Sequence, residues 1–261
     1  MRKPKNQTKL EKVLSAAMPN QLQISHYINY YQKILEQLKL SVSSRELKVL
    51  LPLVNLIFEV DSLYDIKEKT FARSEVEDLR EKMSILLSES SSLTQPAIEH
   101  FFKAIEEESD EAPLLSLKEY LQISRYSIGA ELLSNYIAYI LNISPAIWFS
   151  KKITSFREEI YTLIRLANDY LDVKGEQPRK EKEKEQVKAI QFFSNPLLFQ
   201  GYFLVRYIFH KLNYYFFQVQ SFLNLIFKKE NEELKAIICA ESILIWAYKV
   251  YVIDQNSVHQ F

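Results

Sequence analysis

Two apolar stretches of this chain end in carboxylates set four residues apart, and that pattern constrains the fold more than any other feature. Leu50 to Val60 runs into Asp61-Ser62-Leu63-Tyr64-Asp65, with Asp61 and Asp65 at i, i+4. Ile160 to Ala167 runs into Asn168-Asp169-Tyr170-Leu171-Asp172-Val173-Lys174-Gly175-Glu176, with Asn168, Asp172 and Glu176 at i, i+4, i+8. Four residues of α-helix turn through about 400°, so each set stands on one helix face. Two apolar helices that turn such groups toward a shared interior make a seat for a hard cation such as Mg²⁺, which is held by one or two carboxylates plus substrate phosphates. In a chain that is 25% charged, other acidic runs are expected on solvated faces. Glu106-Glu107-Glu108 and Glu181 to Glu185, which lie in polar stretches, are of that kind.

The rest of the composition points to helices. There are 3 Gly and 8 Pro in 261 residues, while Leu, Ile, Glu and Lys abound, so an all-α protein is expected. The 16 Phe, 16 Tyr and 2 Trp can fill a bulky core or line a large apolar cavity. A net charge of zero gives no footprint for nucleic acid. The lone Cys239, inside the apolar run Ala236 to Ala240, reads as a buried thiol in a reducing compartment. No apolar segment follows the basic start at Arg2, Lys3 and Lys5, and residues 1–20 read as a frayed N-terminal segment. The richest apolar stretches are broken by Asn135, Asn142, Pro145, Arg206, His210 and Lys211, so no membrane span is expected and a cytoplasmic protein is favoured.

Periodicity and punctuation predict helices over 8–17, 21–40, 44–66, 74–89, 94–108, 114–127, 130–143, 146–173, 184–193, 197–228 and 230–252. Ser74 and Thr94 read as helix starts, and Gly129, Ser144-Pro145 and Asn195-Pro196 as breaks. Gln177 to Gln186 reads as a charged surface loop able to close over the second acidic segment. No interdomain linker is visible, so 1–261 is expected to form one domain. His26, His100, His210 and His259 form no ligand pattern and read as incidental.

Against this background the acidic segments resemble the two metal motifs of class I terpene synthases. Phe58-Glu59-Val60-Asp61-Ser62-Leu63-Tyr64-Asp65 is similar to their Asp-Asp-x-x-Asp motif, and Asn168 to Glu176 to (Asn/Asp)-Asp-x-x-(Ser/Thr)-x-x-x-Glu. Arg165 matches an arginine often found three residues before the second motif. Arg125 and Gly129 hold the spacing of the arginine that senses diphosphate and the helix-break residue that senses ionisation. The resemblance covers roughly residues 50 to 180, as separate motifs in the expected order.

It implies a single-domain antiparallel helical bundle with a central apolar cavity, in a compact bacterial-type member. Asp61, Asp65, Asn168, Asp172 and Glu176 would hold three Mg²⁺ ions, or Mn²⁺ in their place, and Arg125, Arg165, Lys174, Lys249 and Tyr251 would hold the diphosphate. Gly129 would be the ionisation effector, and Phe58, Tyr126, Phe203, Tyr207 and Trp246 would line the pocket. The implied reaction is ionisation of a linear C15 or C20 prenyl diphosphate and cyclisation of the cation, by a monomer or homodimer. Departures are visible too. Ser62 replaces the second Asp, Asp172 the usual Ser or Thr, and the C-terminal Arg-Tyr pair is missing, with Lys249 and Tyr251 nearest to its place.

Two alternatives stand beside this reading. Asn168 to Gly175 also looks like the second motif of trans-prenyl diphosphate synthases, but the stretch after Asp65 lacks their Arg-Arg pair. The other is a non-catalytic helical-bundle partner protein that keeps a degenerate site.

Overall fold

The computed structural model describes residues 29, 31–38, 40, 42, 48–64, 73–109, 116–175, 189–226 and 232–252. They form helices α1 (31–37), α2 (Leu50–Tyr64), α3 (Arg73–Leu86), α4 (Ser91–Ser109), α5 (Leu117–Ser127), α6 (Ala130–Ile140), α7 (Pro145–Trp148), α8 (Lys151–Gly175), α9 (Pro196–Ile226) and α10 (Glu232–Val252). Short 3₁₀ turns lie at Ser88–Ser90 and Ala189–Phe192. Among the described residues there is no strand, as an all-α reading requires.

The bundle is organised around α6 and α8. Every residue of α6 except Tyr139 is buried, so this helix has protein on all sides. It packs against α4 and α10, while α8 packs along α10 and α5 and also touches α9. On α2 the buried residues Leu53, Val54, Leu56, Ile57 and Val60 form the inward face, and Phe58, Glu59 and Asp61 stand outside it.

A fully buried helix must satisfy its own polar side chains. Asn135 does so at a node that joins four segments. Its Nδ2 donates to the Leu93 carbonyl at 2.7 Å, and its Oδ1 accepts from Trp148 Nε1 at 2.7 Å and from Arg157 Nη1 at 2.8 Å. The Arg157 guanidinium lies 4.4 Å from the Trp148 ring centroid, a cation–π contact that suits a buried charge. Ser134 hydrogen-bonds Tyr161, and His100 Nδ1 lies 2.9 Å from Glu131 Oε2.

Most predicted helices are present near their expected positions, and three details differ. The helix expected over 146–173 is divided at Phe149–Ser150, where the Ser150 hydroxyl accepts the Ile153 N–H and starts α8. The division lets Trp148 turn inward to the Asn135 node. α4 starts at Ser91, not Thr94; Thr94 sits inside it and donates back to the Ser90 carbonyl at 3.1 Å. Of the helix expected over 184–193, the described part is the 3₁₀ turn Ala189–Phe192. The helix expected over 8–17 and the loop Gln177 to Gln186 lie outside the described residues. No described helix is long and apolar enough to cross a membrane.

Candidate active site

Helix α5 and the turn that follows it lie between the helices that carry the two acidic motifs. Ser116 caps its start, accepting the Glu119 N–H at 3.2 Å and donating to Glu119 Oε2 at 2.8 Å. It ends at Ser127, and Gly129 follows in the left-handed conformation at φ 68°, which a residue with a Cβ adopts only at a cost. A Cβ on Gly129 would meet Ile57 Cδ1 at 2.7 Å. The turn between α5 and α6 therefore rests on α2, one helical turn before Asp61.

On its other side α5 is tied to α8. The Tyr120 hydroxyl donates to Asp169 Oδ2 at 2.9 Å and accepts from Arg165 Nε at 2.8 Å. Arg165 Nε also lies 2.9 Å from Asp169 Oδ1, its Nη1 donates to the Ser127 hydroxyl at 3.4 Å, and Glu108 is 3.8 Å from its Nη2. Asp169 Oδ2 further accepts the Ala189 N–H at 2.9 Å, which fastens the 3₁₀ turn beyond the second motif. Burial, partly offset by the nearby Arg165 charge, holds the Tyr120 hydroxyl well above the ordinary tyrosine range. Arg165 thus ties α8 to α5 through Tyr120 and Ser127.

This network orients the second motif. Asp169 is wholly buried, so Asn168, about 100° away around the helix, is turned off the core and is partly exposed. The backbone of α8 continues as helix to Gly175, which keeps Asp172 one turn beyond Asn168. The side chains of Asp172 and Lys174 lie outside the described residues, as do Asp65 and Glu176 and the side chains of Lys249 and Tyr251. Asp61 is exposed near the end of α2, with Phe58, itself 49% exposed, one turn before it on the same side. No cluster of three or more His, Cys, Asp or Glu side chains forms a metal site among the described residues.

Arg125 is partly buried against α8. Its Nη2 lies 3.2 Å from Glu158 Oε1 and donates to the Tyr126 hydroxyl at 3.2 Å, and that hydroxyl donates to the same Glu158 oxygen at 3.1 Å. Burial pushes the Tyr126 hydroxyl up to about 12, with the Arg125 charge pulling the other way. Among the described residues, Arg125 Nε and the Ser124 hydroxyl are buried without a hydrogen-bond partner. A buried N–H left in that state on an arginine fits an oxygen-rich anion such as diphosphate.

Of the expected pocket residues, Trp246 joins Tyr31, Leu50, Val54, Leu133 and Ile243 around a small apolar pocket. Phe203 and Tyr207 stack at 6.4 Å on α9 and pack against the core. His100 and His210 prove not to be incidental, while His26 and His259 lie outside the described residues. His100 is paired with Glu131, and the buried His210 lies 2.7 Å from Glu241 and stacks on Phe156. Their partners lie about thirty residues away, so no short motif announces them.

Residues 96–195 match the family model described as terpene synthase family 2, C-terminal metal binding. That segment holds Arg125, Gly129, Arg165, Asn168 and Asp172 at the spacings described above. Over that segment the chain is similar to class I terpene synthases, and the all-α bundle is consistent with their fold. No curated protein and no solved structure gives a significant match.

Proposed function

We propose that this protein is a cytoplasmic, Mg²⁺-dependent terpene cyclase that ionises a linear C15 or C20 prenyl diphosphate and closes the resulting cation into a ring. The observation that carries the reading is α5 itself. This helix presents Arg125, with a buried unmatched N–H, and is tied to α8 through Tyr120, while the left-handed Gly129 just beyond its end rests on α2.

The donor set fits a hard divalent cation. Asp61 and Asn168 offer oxygen ligands from separate helices, both turned away from the closed core, and Asp172 follows at the right spacing. Bound Mg²⁺ would supply Lewis-acid neutralisation of the diphosphate. The chain's own groups do the rest. Arg125 orients the diphosphate and stabilises the charge that grows on it as the C–O bond breaks. Glu158 holds the Arg125 fork in place until that anion arrives. Arg165, Asp169 and Tyr120 fix the angle at which α8 presents Asn168. Aromatic faces such as Tyr126 and Phe58 stabilise the allylic cation without capturing it, and exclusion of water prevents its quenching to an alcohol.

The test is incubation of the protein with C10, C15, C20 and C25 diphosphates and Mg²⁺, with diphosphate release and products measured together. Cyclic hydrocarbon or alcohol from one of them is the expected result. Consumption of isopentenyl diphosphate would instead identify a chain-elongating enzyme, and no Mg²⁺-dependent release would identify a degenerate site.

A further inference from the structure

We infer that two copies of this chain associate through the outer face of α9. Ten of the twelve large apolar side chains exposed among the described residues stand on this one helix. They repeat as a seam. Leu198, Val205, Leu212 and Val219 are spaced by seven residues, and Ile208 and Tyr215 fall between them with the same period. Alternation of three and four residues over three heptads is the pattern by which one helix packs along another. Gly201 completes the seam with no atom within 4 Å of its would-be Cβ, so a second backbone could approach closely there. Leu204, Phe209 and Phe216 widen the seam on its flanks.

The charges of α9 are turned the other way. Arg206 pairs with Glu159 at 2.8 Å, and His210 and Lys211 both pair with Glu241. No charged residue is exposed between Pro196 and Val219. A helix that is apolar on both faces is normally covered on both, and α9 is covered on one.

A second copy is the occupant that fits. A large apolar side chain carries on the order of 150–200 Å², so ten that are half-exposed leave about 800–1,000 Å² open. That exceeds the few hundred Å² common on monomers and equals the roughly 800 Å² each partner contributes to a standard interface. A straight, uncharged seam centred near Ile208 is self-complementary under a two-fold axis through that point, as a symmetric dimer requires. A membrane surface fits less well. Helices that lie in bilayers use Lys and Arg for anionic headgroups, and those of α9 are engaged inward.

The test is the mass of the full chain in solution by light scattering at about 10 µM, a concentration suited to micromolar or tighter association. Twice 30.8 kDa is expected. Ile208→Glu with Leu212→Glu should reduce the mass to that of one chain, with the far-UV circular dichroism and melting temperature retained. Mixing that variant with Ile208→Lys/Leu212→Lys should restore the dimer through opposite charges. A monomeric wild type, even one that floats with phosphatidylcholine–phosphatidylserine vesicles, overturns the inference. So does a Glu variant that stays dimeric, or a mixture that stays monomeric.

Discussion

Gly129 and Ile57 meet so closely that a methyl group on Gly129 would lie 2.7 Å from Ile57 Cδ1. The break proposed to sense ionisation thus rests on the helix that carries the first acidic motif, four residues before Asp61. Any movement at Gly129 on substrate binding would be felt by α2 through this contact.

Gly129→Ala should destabilise the fold by about 1–2 kcal/mol from the left-handed backbone alone, with the contact to Ile57 adding to it. Ile57→Val in the same chain removes Cδ1 but keeps the two γ carbons, which lie 2.9 and 3.0 Å from the added methyl, so it should recover part of the steric cost and leave the backbone part. Chemical denaturation of the single and double variants measures both. A double variant no more stable than Gly129→Ala would show that Ile57 does not limit the site.

Asp169→Ala should cost about 3–5 kcal/mol, because it leaves the Arg165 guanidinium buried beside Glu108 alone and removes the acceptor for Tyr120 and Ala189. Tyr120→Phe removes one hydroxyl from the same network and should cost less, about 1–3 kcal/mol. Urea unfolding ranks the two. Equal stability of the Asp169 variant and the wild type would remove the anchoring role given to this network.

The activity of variants separates the metal side from the diphosphate side. Asp61→Ala should abolish Mg²⁺-dependent diphosphate release, since Ser62 offers no second carboxylate, while Asp65→Ala should be milder. Arg125→Ala should lower kcat by about 10²–10³ and raise KM less, because its hydrogen bond strengthens as charge develops. Near-normal release by Asp61→Ala would show that the first motif is not a metal site.

Binding can be read without turnover. Mg²⁺ and inorganic diphosphate together, at a hundredfold excess over Kd, should stabilise the protein by about 2.7 kcal/mol, a rise in Tm of roughly 5–10 °C. Either one alone should give much less. The melting curve with both present decides between a working and a degenerate site.

The pair His100–Glu131 gives a pH dependence. The hydrogen bond to Glu131 raises the His100 imidazole above its ordinary value, against the smaller opposing effect of burial. A raised folded-state value means that protonated His100 contributes stability in full below about pH 6.5. The contribution is lost as pH rises through the raised value. His100→Gln should flatten this part of the Tm–pH profile, measured between about pH 5 and 8.

The helices were legible because their ends carry strong local signals, such as Asn195-Pro196 before α9 and Gly129 before α6. The break at Phe149–Ser150 was not, since its cause is Trp148 reaching Asn135, thirteen residues back. The helical spacing of Asn168 and Asp172 was visible in the sequence, and α8 keeps it. The role of Asp169 as a buried anchor was not, because Tyr120 lies 49 residues away and only packing brings them together. The outer face of α9 showed in the sequence as apolar richness, but which side chains face out depends on how Arg206 and Lys211 find Glu159 and Glu241.

Cys239 is wholly buried on α10, and burial holds its thiol far above the range in which thiolate forms. In the folded protein it should therefore ignore alkylating reagents. Because α10 packs against α6, α8 and α9, this sulfur becomes reactive only when the centre of the bundle opens. The chain thus carries a built-in clock for global unfolding, readable by mass spectrometry as the mass an alkylating reagent adds to its only cysteine, without any engineered label.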